Sequence, residues 1–106
     1  MDITVQELKE RIDAGTAPVM IDVREAHEGE QDHVDGVEKI SLGTLPAKLA
    51  DMEAWKDKEG VMICRSGGRS GRATAFLAQQ GFQNVRNLTG GMLAWKEHID
   101  PSFDVQ

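Results

Sequence analysis

Val61-Met62-Ile63-Cys64 runs directly into Arg65-Ser66-Gly67-Gly68-Arg69-Ser70-Gly71-Arg72. A short apolar run bounded by turn residues reads as a buried strand. The glycines behind it read as a tight loop. Ala73, Phe76, Leu77 and Gln80 then recur at helical spacing, which predicts a helix from about Ser70 to Gln80. Gly81 suits the left-handed position after the end of that helix. Strand, loop and helix in succession form the repeating unit of an α/β fold with a mostly parallel sheet. Cys64 is the only cysteine of the chain and stands at the junction of strand and loop. Glycines let the backbone curl so that several N–H groups point inward. The arginines and the start of the next helix add positive potential. Both favour sulfur as the thiolate, the form that attacks.

The same alternation extends outward from this unit. Thr4 with Glu7 three residues later forms a capping box, Val5, Leu8 and Ile12 follow at helical spacing, and Gly15 stops the helix. After Pro18, Val19-Met20-Ile21-Asp22-Val23 reads as a second buried strand. Residues 24–36 are strongly acidic and read as a short helix and loop. Lys39-Ile40-Ser41-Leu42 reads as a short strand. A helix then opens at Thr44-Leu45-Pro46, with Leu45, Leu49 and Met52 as its apolar face. On the other side, Phe82 through Leu88 holds a last strand. Thr89-Gly90-Gly91 leads into a final helix carrying Met92, Leu93, Trp95 and Ile99, and Pro101 ends it.

A chain of 106 residues suits one domain spanning residues 1–106. No apolar run is long enough for a membrane span. The first residues are acidic and amphipathic, without the basic start and apolar core of a leader, so the expected compartment is the cytoplasm. A single cysteine excludes an internal disulfide and a C-x-x-C redox pair. A sulfur-based intermediate must therefore be discharged by another molecule. The net charge of −6 opposes general nucleic-acid binding. From Gly60 to Lys96, however, five basic residues stand with no Asp or Glu, against −11 in the remainder. Such a run is either solvated surface or a local positive field for a small anion.

Four stretches, in order, resemble the rhodanese family of sulfurtransferases: Ile21-Asp22-Val23-Arg24-Glu25 with Glu28; His33-Val34-Asp35-Gly36-Val37 running on to Leu42; Cys64-Arg65-Ser66-Gly67-Gly68-Arg69-Ser70; and Leu88-Thr89-Gly90-Gly91-Met92-Leu93-Ala94-Trp95. Asp32 stands where that family usually has glycine, and Val37 where it usually has alanine. The resemblance implies a single rhodanese domain, a three-layer sandwich with a five-stranded parallel sheet flanked by helices. It implies a cysteine that takes a sulfane sulfur from a donor such as thiosulfate, holds it as a persulfide and passes it on. The acceptor would be cyanide, a small thiol or a thioredoxin-like protein. No cofactor, nucleic acid or membrane is implied.

The residue types fit that chemistry. A small sulfur anion needs a thiolate and a cradle of N–H groups, which the backbone from Arg65 through Ser66, Gly67 and Gly68 to Arg69 can offer at a helix N-terminus. Arg65 is expected at the pocket mouth, in contact with substrate. Arg69 either braces the loop or binds substrate, and Arg72 is read as structural. Ser66 and Ser70 can each donate one hydroxyl hydrogen bond, or Ser70 can cap the helix. Asp22 and Arg24 are read as an ion pair supporting the loop, Glu25 and Glu28 as solvated charges. His27 and His33 match no zinc spacing, so no metal is expected. Gly90-Gly91 is a tight lead-in to the last helix, and Trp55 and Trp95 are packing residues. Two alternatives stand beside sulfur transfer. A docking or persulfide-carrier module would share the fold. A phosphatase or arsenate reductase would place arginine six positions after the cysteine, whereas Arg69 lies five after Cys64.

Overall fold

Val61, Met62 and Ile63 do lie in the central strand, and the elements on either side alternate as their spacing predicts. The protein is described here from a computed structural model covering residues 1–29 and 32–105; residues 30 and 31 of the acidic stretch 24–36, and residue 106 at the end of the expected domain, lie outside the described residues. In chain order the elements are β1 (Asp2–Ile3), α1 (Val5–Asp13), β2 (Val19–Asp22), α2 (Ala26–Gly29), β3 (Glu38–Lys39), 3₁₀ helices at Leu42–Thr44 and Pro46–Trp55, β4 (Gly60–Ile63), α3 (Gly68–Gln79), β5 (Val85–Leu88) and α4 (Gly91–His98). The five strands form one sheet in the order β1-β5-β4-β2-β3, and every pair is parallel.

Side chains alternate across a strand, so each strand divides its residues between two faces. Val61 and Ile63 of β4 pack with Leu8 of α1 and Met92 and Trp95 of α4. Met62 and Cys64 point the other way and pack with Ala73 and Leu77 of α3, Leu45 and Met52. Ile21 and Val23 share that second face, and so does Val85 of β5. Helices thus cover both faces of a parallel sheet, which is the three-layer α/β arrangement expected. The predicted capping box is present: the Glu7 N–H donates to Thr4 Oγ1 at 3.1 Å and the Thr4 N–H to Glu7 Oε1 at 3.0 Å.

Several boundaries differ from the sequence expectation. β1 spans only two residues, Asp2 and Ile3, paired with Asn87 and Leu88; so short a strand carries no periodicity to read. The segment after Thr44 is a 3₁₀ helix, not an α-helix. The buried Leu45 and Met52 seat it on the sheet. The strand expected over Lys39–Leu42 is Glu38–Lys39, yet the ladder continues as the Ile40 N–H donates to the Asp22 carbonyl and the Leu42 N–H to the Val23 carbonyl, each at 3.0 Å. The last strand is Val85–Leu88, with Phe82 buried in the turn before it.

At the carboxyl end of β2, Asp22 and Arg24 form a buried ion pair whose side chains are 3% and 1% exposed. Arg24 Nε and Nη2 both donate to the carboxylate, the latter at 2.8 Å, and Nη2 also donates to the Asp32 carbonyl at 3.2 Å. Removing one partner strands a buried charge, whereas replacing both removes the desolvation cost as well. Arg24→Met should therefore lower stability by about 3–5 kcal/mol, and Asp22→Leu combined with Arg24→Met by markedly less. Urea unfolding of the single and double variants measures the difference.

Candidate active site

β4 ends at Ile63, which pairs with Asp22 of β2, so Cys64 emerges between β2 and β5 at the carboxyl edge of the sheet. Ligand sites of open parallel sheets gather at this edge. The chain leaves Cys64 through Arg65 and Ser66, both exposed, to Gly67. Gly67 has φ of 105° and caps α3. Only glycine adopts that backbone without strain. Its conformation turns the Gly67 N–H onto Cys64 Sγ at 3.0 Å. The Ser70 hydroxyl approaches the same sulfur at 3.2 Å.

Because α3 begins at Gly68 and not at Ser70, Ser70 is its third residue. The helix-capping role is therefore excluded for Ser70, and its buried hydroxyl faces the thiol. Burial pushes the Cys64 thiol up. The Ser70 hydroxyl and the N–H groups of Ser70, Gly67 and Ser66 act against burial and together prevail, so the thiol is more acidic than an ordinary cysteine. Stabilisation of the thiolate comes from oriented dipoles at a helix start, as in other anion-binding loops.

The other side of the loop is held by α4. The Met92 N–H donates to the Cys64 carbonyl at 2.9 Å and the Leu93 N–H to the Arg65 carbonyl at 3.0 Å. These are orphan donors of a helix N-terminus satisfied by the loop's carbonyls. A Cβ on Gly91 would lie 2.4 Å from the Cys64 carbonyl oxygen and 2.7 Å from that of Arg65. Gly91 is thus more than a lead-in to the helix: it allows the helix end to touch the thiol's own peptide.

The arginines divide in their roles. Arg65 is exposed. Arg69 is engaged by Glu28 of α2 through two bonds, Nη1 to Oε1 at 2.6 Å and Nη2 to Oε2 at 2.8 Å. Of the two readings open for Arg69, bracing the loop is the one this geometry supports. Glu28 is accordingly not the solvated charge expected from the sequence, being only 18% exposed; the spacing along the chain gave no sign that α2 folds against the loop. Glu25 is exposed as expected. Asp22 and Arg24 form the expected ion pair, and Arg24 also acts on Glu28 by charge.

Asn87 of β5 was not among the sequence candidates. Its Nδ2 donates to the Gly67 carbonyl at 3.1 Å and its Oδ1 accepts from the Ser70 hydroxyl. Strand alternation offered the signal, since Asn87 shares its face with Val85, the face beneath α3. Among the described residues no group of three or more His, Cys, Asp or Glu is arranged to hold a metal.

A strand-borne thiol in a glycine-turned cradle, on a five-stranded parallel sheet, defines a class of α/β protein built around one cysteine loop. The rhodanese-like domain family matches residues 4–98, and the chain belongs to that family. It is 40% identical to YtwF of Bacillus subtilis over 100 residues, covering 94% of each chain. It is 32% identical over 97 residues to a sulfurtransferase of Allochromatium vinosum, covering 92% of this chain and 89% of that one. The human single-domain sulfurtransferase TSTD1 superposes with a TM-score of 0.80 at 25% identity, covering 92% of this chain and 96% of that one.

The Arg69 guanidinium is the main reason that the Glu28 carboxyl titrates at about 2 instead of 4.5. A depressed carboxylate pKa stabilises the fold above its unfolded value and stops doing so as pH falls through the folded value. Wild-type melting temperature should thus drop between pH 4.5 and 2 by more than that of Glu28→Gln, which has no carboxylate to titrate. Parallel thermal melts of the two proteins across that window test the pair.

Proposed function

We propose that the protein is a sulfurtransferase, a single rhodanese domain over residues 1–106, that carries sulfane sulfur on Cys64. The observation that supports this most directly is the pair of donors on Cys64 Sγ, the Gly67 N–H at 3.0 Å and the Ser70 hydroxyl at 3.2 Å. The thiolate attacks the outer sulfur of thiosulfate. A Cys64–sulfur bond forms, the sulfur–sulfur bond of the donor breaks, and sulfite leaves with the electron pair. An acceptor thiolate or cyanide then attacks the outer sulfur of the persulfide, and the Cys64 thiolate leaves. A covalent intermediate of this kind gives ping-pong kinetics. Sulfite is a stable leaving group, so the reaction needs no strong general acid and no cofactor.

In this reading Arg65 meets the incoming anion at the exposed rim, while Ser66, Gly67 and Gly68 line the cradle with backbone N–H groups. Ser70 donates to the sulfur, and Arg69 with Glu28 braces the loop. Asp22 and Arg24 support the base of that loop. A persulfide donor on another protein fits the same chemistry as thiosulfate. The lone thiol, with no second cysteine to resolve it, also suits a persulfide-carrier role, and it favours a reducing compartment such as the cytoplasm. No helix among the described residues is long and apolar enough to cross a membrane.

Intact-protein mass spectrometry after incubation with thiosulfate tests the reading. Wild type should gain one sulfur atom, which cyanide removes as thiocyanate, and Cys64→Ser should gain none while remaining folded. A folded, reduced wild type that takes sulfur from neither thiosulfate nor a protein persulfide would sink the assignment. Arg65→Ala should reduce kcat/KM about tenfold for an anionic donor and much less for a neutral one, the size of one charge-assisted contact. Equal losses for both donors in steady-state assays would make Arg65 a shaper of the loop.

A further inference from the structure

The Ser70 hydroxyl carries one proton and has two acceptors within reach, Cys64 Sγ at 3.2 Å and Asn87 Oδ1. The orientation of the Asn87 amide follows from its other bond. Nδ2 donates to the Gly67 carbonyl at 3.1 Å, which leaves Oδ1 facing Ser70. That Gly67 carbonyl also receives the Gly71 N–H at 3.0 Å, and the N–H of Gly67 itself reaches the sulfur. Asn87 is therefore tied at both ends to residues that touch the thiol, Ser70 through its hydroxyl and Gly67 through its N–H. It belongs to a neighbouring strand, so its position does not depend on the loop's own conformation.

We propose that Asn87 is a positioning residue that decides where the Ser70 proton rests, and so sets how readily Cys64 ionises. In the neutral site the Cys64 S–H points to Ser70 Oγ and the Ser70 proton rests on Asn87 Oδ1, a chain with every donor used. When the thiol proton leaves to solvent, the Ser70 hydroxyl turns to the sulfur anion and Asn87 Oδ1 loses its donor. That loss opposes ionisation. Asn87 thereby holds the thiol less acidic than Ser70 and the loop N–H groups alone would make it. A thiolate that is stabilised too far is a poorer nucleophile, and attack is fastest from a thiol whose pKa lies near the ambient pH.

The charged groups near Cys64 among the described residues include a carboxylate-paired arginine, with Glu25 also acting on that arginine by charge. Arg69 of α3 acts on Cys64 by charge and is neutralised by Glu28 of α2. Arg65 lies on the loop itself, and Asp22, opposite Ile63 at the end of β2, is paired with Arg24, which also reaches the Asp32 carbonyl. The first turn of α4, Gly91 to Ala94, contains no titratable residue.

This inference deepens the sulfur-transfer reading and rests on Cys64 as the reacting group. Its test uses no sulfur donor, so its failure is distinct from failure of that reading. The rate of Cys64 alkylation by iodoacetamide is measured against pH for wild type, Asn87→Ala, Ser70→Ala and the double variant, with folding verified by circular dichroism. Asn87→Ala should lower the thiol pKa by about half a unit to one unit, the scale of one net hydrogen bond. Ser70→Ala should raise it, and in that background Asn87→Ala should change nothing. Asn87→Leu, close to asparagine in size, should reproduce the downward shift if the alanine variant folds poorly. An upward shift, no shift, or a shift of equal size with and without Ser70 would overturn the proposal.

Discussion

The site depends on two backbone hydrogen bonds, those from the Met92 and Leu93 N–H groups to the Cys64 and Arg65 carbonyls. A peptide's carbonyl and amide point in opposite directions. Once the carbonyls of the thiol's own residue and the next are drawn to the start of α4, the Arg65 and Ser66 N–H groups in the same peptide units face the other way. Gly67, at φ of 105°, then closes its N–H onto the sulfur. A helix N-terminus needs acceptors and a loop beyond a strand needs its carbonyls satisfied, so one contact serves both. It forms only because Gly91 has no side chain to hold the helix end away.

Charge is handled in a way that net composition does not reveal. The basic stretch around the loop looks like an anion-attracting field. Yet Arg69 is taken up by Glu28, and Arg24 by Asp22. The sulfur is instead held by a hydroxyl and by peptide dipoles, which stay aimed without a mobile side chain. Short-range dipoles are little affected by salt, whereas surface charges are screened within about 8–10 Å. In a chain of net charge −6, the first arrangement is the one that survives the surrounding acidity.

Much of this was legible along the chain. The apolar run ending at Cys64 predicts a buried strand, the glycines behind it predict a loop, and Thr4 with Glu7 predicts the helix start that is observed. Each is a short-range consequence of sterics, hydrogen bonding or side-chain period. The four stretches carry the family resemblance in the sequence alone. The misjudged pieces are those with no local signature. β1 is too short to show alternation. The start of α3 depends on where the backbone leaves the left-handed region at Gly67, two peptide units before the first good helix former. Glu28 looked like one acidic residue among many.

By itself, then, the sequence determined the alternation of strands and helices, the thiol at a strand end and the glycines able to bend the chain around it. These follow from neighbours a few residues apart. Only the tertiary structure decided which groups the bend faces. Glu28 meets Arg69 from 41 residues away, and Asn87 reaches Ser70 across 17. Meetings of that kind are set by sheet order and helix packing. β5 lies beside β4, so Asn87 stands under the loop, and α2 returns over the carboxyl edge, so Glu28 finds its arginine.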